Sequence, residues 1–421
     1  MRIVVVTLAG REVAALDAAA SWTRADVCAR IPLLVDVPLS AARLLFGCSE
    51  LVDGVTLQAV GADDGAQLQL VLDSRSGQEI LTASGDRTVK IWNTESGECR
   101  LTLEGHIGSV RCAAFSRDST KVLTASADGT AKVWQRSSGE CLLTLHWNGD
   151  YVVSAEFSSD AKMILIGADR TAKLWSAING ELLSSCEGHA KFLAQATISP
   201  NDEQVLTASV DWSAMLWCAR TGELLRPLLG HEDVVTGAVF SPSGALLLTA
   251  SNDCTAKTWD GSTGQCLTTM RGHVQRLFSA TFSPDGTLVL TASQDCSARL
   301  WSVETGECLR VFDTQGYSYY VRRALFSPDG RRVLTTSAAP KAWLWDAATG
   351  ELLHSWWASD AGFRFAMFSP DGTLILTTFS DNTAKIWNAE TGECSQVLVG
   401  HRQSINVADF LPPLRGIVGL A

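Results

Sequence analysis

No two of the twelve cysteines lie three residues apart, so the chain has no CxxC pair, and zinc ribbons and thioredoxin-like redox centres find no support. There is no Gly-Lys pair and hence no P-loop. His231-Glu232 opens the segment HEDVV, but no second His follows, so a zincin site is absent too. No uncharged apolar run reaches 18 residues, and no transmembrane helix is expected. The opening MRIVVVTLAG is apolar like a signal peptide, but Arg11, Glu12 and Asp17 break the run at once. Basic residues number 34 against 45 acidic ones, a net charge of −11. That balance argues against a nucleic-acid backbone or an anionic membrane as the main partner. Charged residues make up only 19% and hydrophobic ones 46%, which excludes disorder over most of the 421 residues. Tyrosine is scarce, with four against fourteen tryptophans.

That ratio has a cause. Eight tryptophans stand at Trp92, Trp134, Trp175, Trp217, Trp259, Trp301, Trp345 and Trp387, with spacings of 42, 41, 42, 42, 42, 44 and 42. Around them a phrase repeats, as in VLTASADGTAKVW, VLTASVDWSAMLW and VLTASQDCSARLW. Each phrase reads as an apolar strand, a tight turn and a second strand ending in Trp. A strand ending in Phe-Ser and a turn such as SPDG (283–286, 327–330, 369–372) precede it. A turn such as TGEC (305–308, 391–394) and a fourth short strand follow. Four short strands per repeat predict one blade of a propeller. Five cysteines (Cys99, Cys141, Cys266, Cys308 and Cys394) share one repeat position, which places them on different blades, too far apart to bridge. They are expected to be reduced core thiols of a cytosolic or nuclear protein.

Over roughly residues 79–411 these features resemble the WD-repeat family. Gly-His recurs at 105–106, 188–189, 230–231, 272–273 and 400–401. An Asp precedes seven of the eight Trp by six residues: Asp86, Asp128, Asp169, Asp211, Asp253, Asp295 and Asp381. The resemblance implies structural tetrads of His, Ser, Asp and Trp. They would be His106/Ser126/Asp128/Trp134, His189/Ser209/Asp211/Trp217, His231/Ser251/Asp253/Trp259 and His273/Ser293/Asp295/Trp301. In such a set the carboxylate accepts from imidazole and turn amides, and the hydroxyl links imidazole to indole. The same three residue types also form a hydrolase triad, but one active site does not repeat around a ring.

Three blades depart from the pattern. Asn148 and Gly167 stand for His and Ser before Trp175. Tyr317 and Ala339 stand for His and Asp before Trp345. Ser359 and Phe379 stand for His and Ser before Trp387. The blade count follows from the two ends. The first Trp has two strands before it from residue 79 but no certain first strand, and INVADF (405–410) is a first strand with no blade of its own. Joining them closes a ring of eight and gives His401 to Ser84, Asp86 and Trp92.

Residues 1–72 break the rhythm and resemble ubiquitin, a small α+β β-grasp domain. MRIVVVTLAG matches the first strand and turn; Thr23 would cap a short helix over 24–31, before Pro32. RLLFGCSELVDGVTL (43–57) and LQLVL (68–72) match later strands and the Leu-x-Asp-Gly-x-Thr-Leu turn. LQLVL could also serve as the missing first strand of the first blade. Giving it to the small domain and 405–410 to the propeller satisfies both, with 73–78 as a short linker. No Arg-Gly-Gly tail follows, and the first lysine in the chain is Lys90, so conjugation and chain growth on this domain are not expected. The resemblance carries a receptor-binding patch onto Leu8, Leu45 and Val71, with Gln69 in place of a His.

The fold class expected is therefore mainly β: an eight-bladed WD-repeat β-propeller over 79–421, preceded by a ubiquitin-like domain. Five of the seven histidines are taken by Gly-His positions, which leaves too few for a metal site or a catalytic base. No catalytic residue, cofactor or metal is expected. A propeller displays loops, and the residues leading into its innermost strands rim the channel. Tyr151, Phe192, Arg276 and Tyr320, with Tyr317 and Tyr319, are the candidate protein-binding rim, since aromatics and Arg dominate interface hot spots. The function expected is a non-enzymatic adaptor, cytoplasmic or nuclear, whose propeller binds another protein and whose small domain docks a ubiquitin-pathway receptor. The rival is a scaffold subunit of a stable assembly (ciliary, RNA-processing or signalling) with the small domain as a cap. An enzyme built on an altered blade, such as that of Trp345, is the third class.

Overall fold

The computed structural model describes residues 2–7, 12–19, 21–23, 26–27, 42–46, 49–50, 56–59, 62, 66–72, 79–147, 152–313, 319–337, 341–357 and 362–412. From residue 79 onward these form eight four-stranded antiparallel sheets. Seven run in chain order, each from an innermost to an outermost strand. Their innermost strands are Val110–Phe115, Val152–Phe157, Leu193–Ile198, Val235–Phe240, Leu277–Phe282, Val321–Phe326 and Phe363–Phe368. The eighth sheet, counted here as the first blade, is composite. Its innermost strand, Ile405–Phe410, pairs antiparallel with Glu79–Ser84, Ile405 opposite Ser84 and Phe410 opposite Ile80. The ring is closed, so the head of the propeller presents no unpaired edge there.

The repeat phrase explains the packing. Second strands such as Lys121–Ser126 (KVLTAS) are buried at five successive positions, because neighbouring blades cover both faces of each sheet. Hence the apolar run does not alternate. The cores lie in the seams between blades. One joins Leu290, Ala298 and Phe312 of the sixth blade to Val321, Trp343 and Trp345 of the seventh. Each outermost strand has a free edge and an exposed start, as in Cys308–Asp313. That corrects the expectation for the five repeated cysteines. Cys99, Cys141, Cys266, Cys308 and Cys394 are exposed, not core residues, since they open the outermost strands beyond the reach of the next blade. Their thiols make only local hydrogen bonds, such as Cys99 Sγ to the Leu101 carbonyl at 3.5 Å. Cys186 is buried, and its thiol is pushed up to about 12, first by burial and then by the charge of Cys218. Native protein treated with a thiol reagent at pH 8 is thus expected to label the five rim cysteines within minutes and Cys186 only after unfolding. Peptide mapping of the labelled chain checks this.

The turns between second and third strands take a left-handed residue. The second blade has Gly129 there (φ 77°), but Arg87, Trp212, Cys254, Cys296 and Asn382 hold the same conformation without being glycine. Such residues cost roughly 1 kcal/mol or more of backbone strain each.

The N-terminal described residues form a five-stranded sheet. β1 (Arg2–Thr7) pairs with β2 (Glu12–Asp17), and β5 (Ala66–Leu72) runs parallel to β1 on its other side. β3 (Ala42–Phe46) pairs with β5, and β4 (Ser49–Glu50) with β3, so the order is β2-β1-β5-β3-β4. The segment 68–72 therefore belongs to this sheet and not to the first blade. Of the helix expected over 24–31, only Asp26 and Val27 are described, and they are helical. Thr23 caps them: its amide and hydroxyl donate to Asp26 Oδ2 at 2.9 and 2.8 Å, while its carbonyl accepts the Val27 amide at 3.2 Å. Residues 24–25 and 28–41 lie outside the described residues, Pro32 among them. No helix among the described residues is long and apolar enough to cross a membrane.

Candidate interaction face

In five of the eight blades the segment leading into the innermost strand carries Gly-His, and the turn between second and third strands carries Asp. Both lie at one end of the ring. In the fifth blade, His231 Nδ1 meets Asp253 Oδ2 at 2.7 Å, and the Glu232 amide donates to the same oxygen at 3.0 Å. Asp253 Oδ1 accepts the Thr255 amide at 2.9 Å and its hydroxyl at 2.7 Å. With Nδ1–H given to the carboxylate, Nε2 accepts the hydroxyl of Thr249 at 2.7 Å, and that oxygen accepts the Trp259 indole N–H at 2.8 Å.

The hydroxyl between imidazole and indole is therefore threonine, not the serine expected from the sequence. The same link is made by Thr82, Thr124, Thr207 and Thr291. Ser84, Ser126, Ser209, Ser251 and Ser293 sit two residues further on. They accept the Asp amide and, except for Ser126, donate to a carbonyl of the Gly-His segment. The strand period explains the shift: residues two apart share a face, so both hydroxyls point the same way. The one deeper in the sheet reaches the indole. His401 takes the same place in the composite first blade, 2.9 Å from Asp86 Oδ2 and 2.8 Å from Thr82. At Gly188, Gly272 and Gly400 the indole lies close against the glycine before the His: a Cβ at Gly400 would come 3.1 Å from Trp92 Cη2.

Burial opposes charge on these aspartates, but the hydroxyl, amide and imidazole donors outweigh it, and Asp128 and Asp211 are held down at about 2. Burial likewise lowers His106, His189 and His401, against the pull of their carboxylates, so the rings stay neutral at physiological pH. A His–Asp pair repeated in five blades braces the connecting segment against the turn.

The degenerate blades show what the brace replaces. In the third, Leu165 occupies the threonine position and the Trp175 indole N–H is buried with no partner. In the seventh and eighth, Thr335 and Thr377 still accept Trp345 and Trp387 at 2.9 and 2.8 Å. Asn148, Tyr317, Ala339 and Ser359 lie outside the described residues.

The same end of the ring carries the candidate rim. Phe192 is 58% exposed, and Tyr319 and Tyr320 are exposed as well. Arg276 stacks on Phe278 at 5.0 Å, and that ring packs on Tyr320 of the next blade at 6.0 Å. Tyr151 and Tyr317 lie outside the described residues. A further residue was readable but not singled out: Trp212, 49% exposed, holds φ 76° in the turn where the second blade has glycine, with Lys191 Nζ 5.8 Å from its ring. The signal was DWS in place of DGT. Leu8 of the N-terminal patch lies outside the described residues. For Leu45, Gln69 and Val71 only the backbone is placed, Leu45 opposite Gln69 and Arg43 opposite Val71.

At the opposite end of the channel a cavity of about 730 Å³ is lined by the Phe-Ser-Pro turns and by Asp409. Innermost strands have a free edge here, and side chains from the preceding blade cover it. Asp409 Oδ2 accepts the Phe115 amide at 3.1 Å, and Glu156 Oε1 the Ile198 amide at 2.5 Å. Burial, only partly offset by these amides, pushes both carboxyls up to about 7. A carboxyl raised on folding contributes stability that is complete below its unfolded value and lost as pH climbs through 7. Asp409→Asn is therefore expected to raise stability over wild type by roughly 1–3 kcal/mol at pH 8 and by almost nothing near pH 4. Paired denaturant melts at the two pH values check it. Among the described residues no group of His, Cys, Asp and Glu could hold a metal ion.

Comparison with known proteins agrees with this architecture. The WD domain, G-beta repeat family matches residues 71–93, 97–135, 139–176, 180–218, 222–260, 264–302 and 351–388. The chain therefore belongs to that family, with the first three strands of the seventh blade outside the matched segments. It is 49% identical over 43 residues to the nuclear distribution protein PAC1 of Mycosarcoma maydis, which is 10% of this chain and 10% of that protein. The chain thus spans about a tenth of the length of the curated relative it matches. Among solved structures it resembles the computationally designed Ika8 protein, with a TM-score of 0.66 and 25% identity over 75% of this chain and 96% of that one.

Proposed function

We propose that this chain is a non-enzymatic adaptor of the cytoplasm or nucleus whose propeller holds a protein or peptide partner on its His–Asp face. The observation that carries this reading is Trp212. A large apolar side chain is kept exposed in a strained turn that glycine would relieve, at the same end of the ring as exposed Phe192 and the Arg276–Phe278–Tyr320 stack. Strain retained at an exposed aromatic points to use. Free thiols throughout the described residues suit a reducing compartment. Affinity purification with mass spectrometry, wild type against Phe192→Ala/Trp212→Ala/Tyr320→Ala, tests it. Loss of a defined set of proteins supports the reading, and an unchanged set overturns it.

The N-terminal domain, in the same reading, is ubiquitin-like and docks a ubiquitin-pathway receptor such as a proteasome subunit or ligase component. The strand order with its central parallel pair and the capped turn at Thr23 support a β-grasp fold. Leu45 stands opposite Gln69 where β3 pairs with β5, a register that brings two of the patch positions together and supports this reading. Recovery of ubiquitin-pathway proteins is expected to fall with Leu45→Ala. If deletion of 1–72 instead lowers propeller stability and leaves recovery unchanged, the domain is a structural cap.

A further inference from the structure

The channel mouth opposite the His–Asp end is edged by a collar of prolines. The turns from innermost to second strands place Pro200, Pro242, Pro284, Pro328 and Pro370 there, on the fourth to eighth blades, and all five are exposed. The collar is interlocked, because the turn glycine of each following blade lies against the proline before it. A Cβ at Gly244, Gly286 or Gly330 would come 3.6 Å from the ring of Pro200, Pro242 or Pro284, and one at Gly372 3.3 Å from that of Pro328. Inside the collar, Phe240, Phe282, Phe326 and Phe368 line the cavity of about 730 Å³. That size and that apolar lining suit a bound side chain or short segment. Proline has little freedom to lose, so such a collar is shaped before its ligand arrives. The second and third blades interrupt it with Arg117 and Ser159. Ser159 is tied by its amide and hydroxyl to Asp202 of the fourth blade, at 2.7 and 2.5 Å.

Charge around the collar is one-sided. The turns at this end, from innermost to second and from third to outermost strands, carry seventeen acidic and five basic residues. The connections at the His–Asp end carry twelve and six, so the acidic excess is concentrated around the collar. Ion pairs within the set, such as Lys162 with Asp160 at 3.4 Å, leave that balance unchanged. The bordering strand residues cancel, Arg100, Lys121 and Arg332 against Glu79, Asp260 and Asp346. Residues 1–78 join the ring at this end and add nine acidic and six basic residues, and residues 413–421 add one arginine. The balance is therefore negative wherever those segments lie. Like charge disfavours a second copy of this chain, or its own N-terminal residues, as the occupant.

We propose that the collar is a second docking face, for a basic segment of a partner protein. An apolar side chain of that segment enters the proline–phenylalanine mouth, and its lysines or arginines lie along the acidic turns around it. The apolar anchor supplies affinity, and the surrounding charge draws basic segments in and turns acidic ones away. The collar and the His–Asp face lie at opposite ends of the channel, so a ligand on one leaves the other free.

Fluorescence anisotropy with the full chain tests it, using a short fluorescein-labelled peptide of alternating Lys and Leu. A Lys–Ser peptide of equal charge and a Glu–Leu peptide serve as comparisons. The Lys–Leu peptide is expected to bind at least tenfold more tightly than Lys–Ser and to weaken as salt rises. It should lose at least tenfold in affinity to Pro284→Arg/Pro328→Arg and a smaller factor to Pro284→Ser/Pro328→Ser. The ring already holds Arg117 and Ser159 at this position, so both variants should melt close to wild type. Phe192→Ala/Trp212→Ala/Tyr320→Ala, at the other end, should bind the peptide as wild type does. Absence of binding, equal binding of Lys–Ser or Glu–Leu, indifference to both proline variants, or loss of the peptide by the triple variant overturns the proposal. So does a tenfold gain in affinity on Ile417→Glu/Val418→Glu, which would make the chain's own tail the occupant.

Discussion

Deletion of residues 405–421 is expected to leave no cooperatively folded propeller. The deletion removes Ile405, Ala408 and Phe410, all buried against the eighth blade and Trp92. Burial of an Ile or Phe side chain is worth about 1.5–3 kcal/mol each, and a whole domain has only about 5–15 kcal/mol to lose. It also uncovers the backbone edge of Glu79–Ser84 and frees the Phe115 amide from Asp409. The exposed edge would pair with other chains. Purified truncated protein should elute as aggregate and melt without a sharp transition. Phe410→Ala, a milder change, should cost about 3–5 kcal/mol. A truncated chain that stays monomeric and melts at the wild-type temperature would show that the last strand is not part of the ring.

The second large effect concerns the threonines. Thr249→Val is isosteric but removes the hydroxyl that accepts from Trp259 and donates to His231. Two buried polar groups then lose their partner at once, which should destabilise by about 2–4 kcal/mol. Thr249→Ser restores both bonds and should recover most of that. Ser251→Ala, by contrast, removes a bond from the Asp253 amide and one to the Asp233 carbonyl, and should cost about 1 kcal/mol. The third blade supplies an internal control. Trp175→Phe discards an indole N–H that has no partner, so its cost should be packing alone, well below that of Trp259→Phe. Denaturant melts of the five variants read these differences directly. If Ser251→Ala proved the more damaging, the braced unit would be the serine after all.

The tryptophan spacing made the propeller legible, because one residue type at one depth recurs wherever blades must pack alike. The closing strand was legible as well: Ile405–Phe410 had the pattern of an innermost strand and nothing after it to pair with. The threonine link was harder to see. VLTAS carries Thr and Ser two apart, on the same face, and only depth in the sheet decides which one meets the indole. The cysteines misled for a related reason. Their position repeats as faithfully as a core position does, yet the repeat is set by the turn before them, and the outermost strand has no neighbour to bury it.

Closure of the ring underlies all of this, and backbone hydrogen exchange of the intact protein tests it most directly. The amides of residues 405–410 should exchange as slowly as those of the second strands of the other blades, and in step with residues 80–84. Rapid exchange of 405–410 alongside protected neighbouring blades would contradict the closed ring.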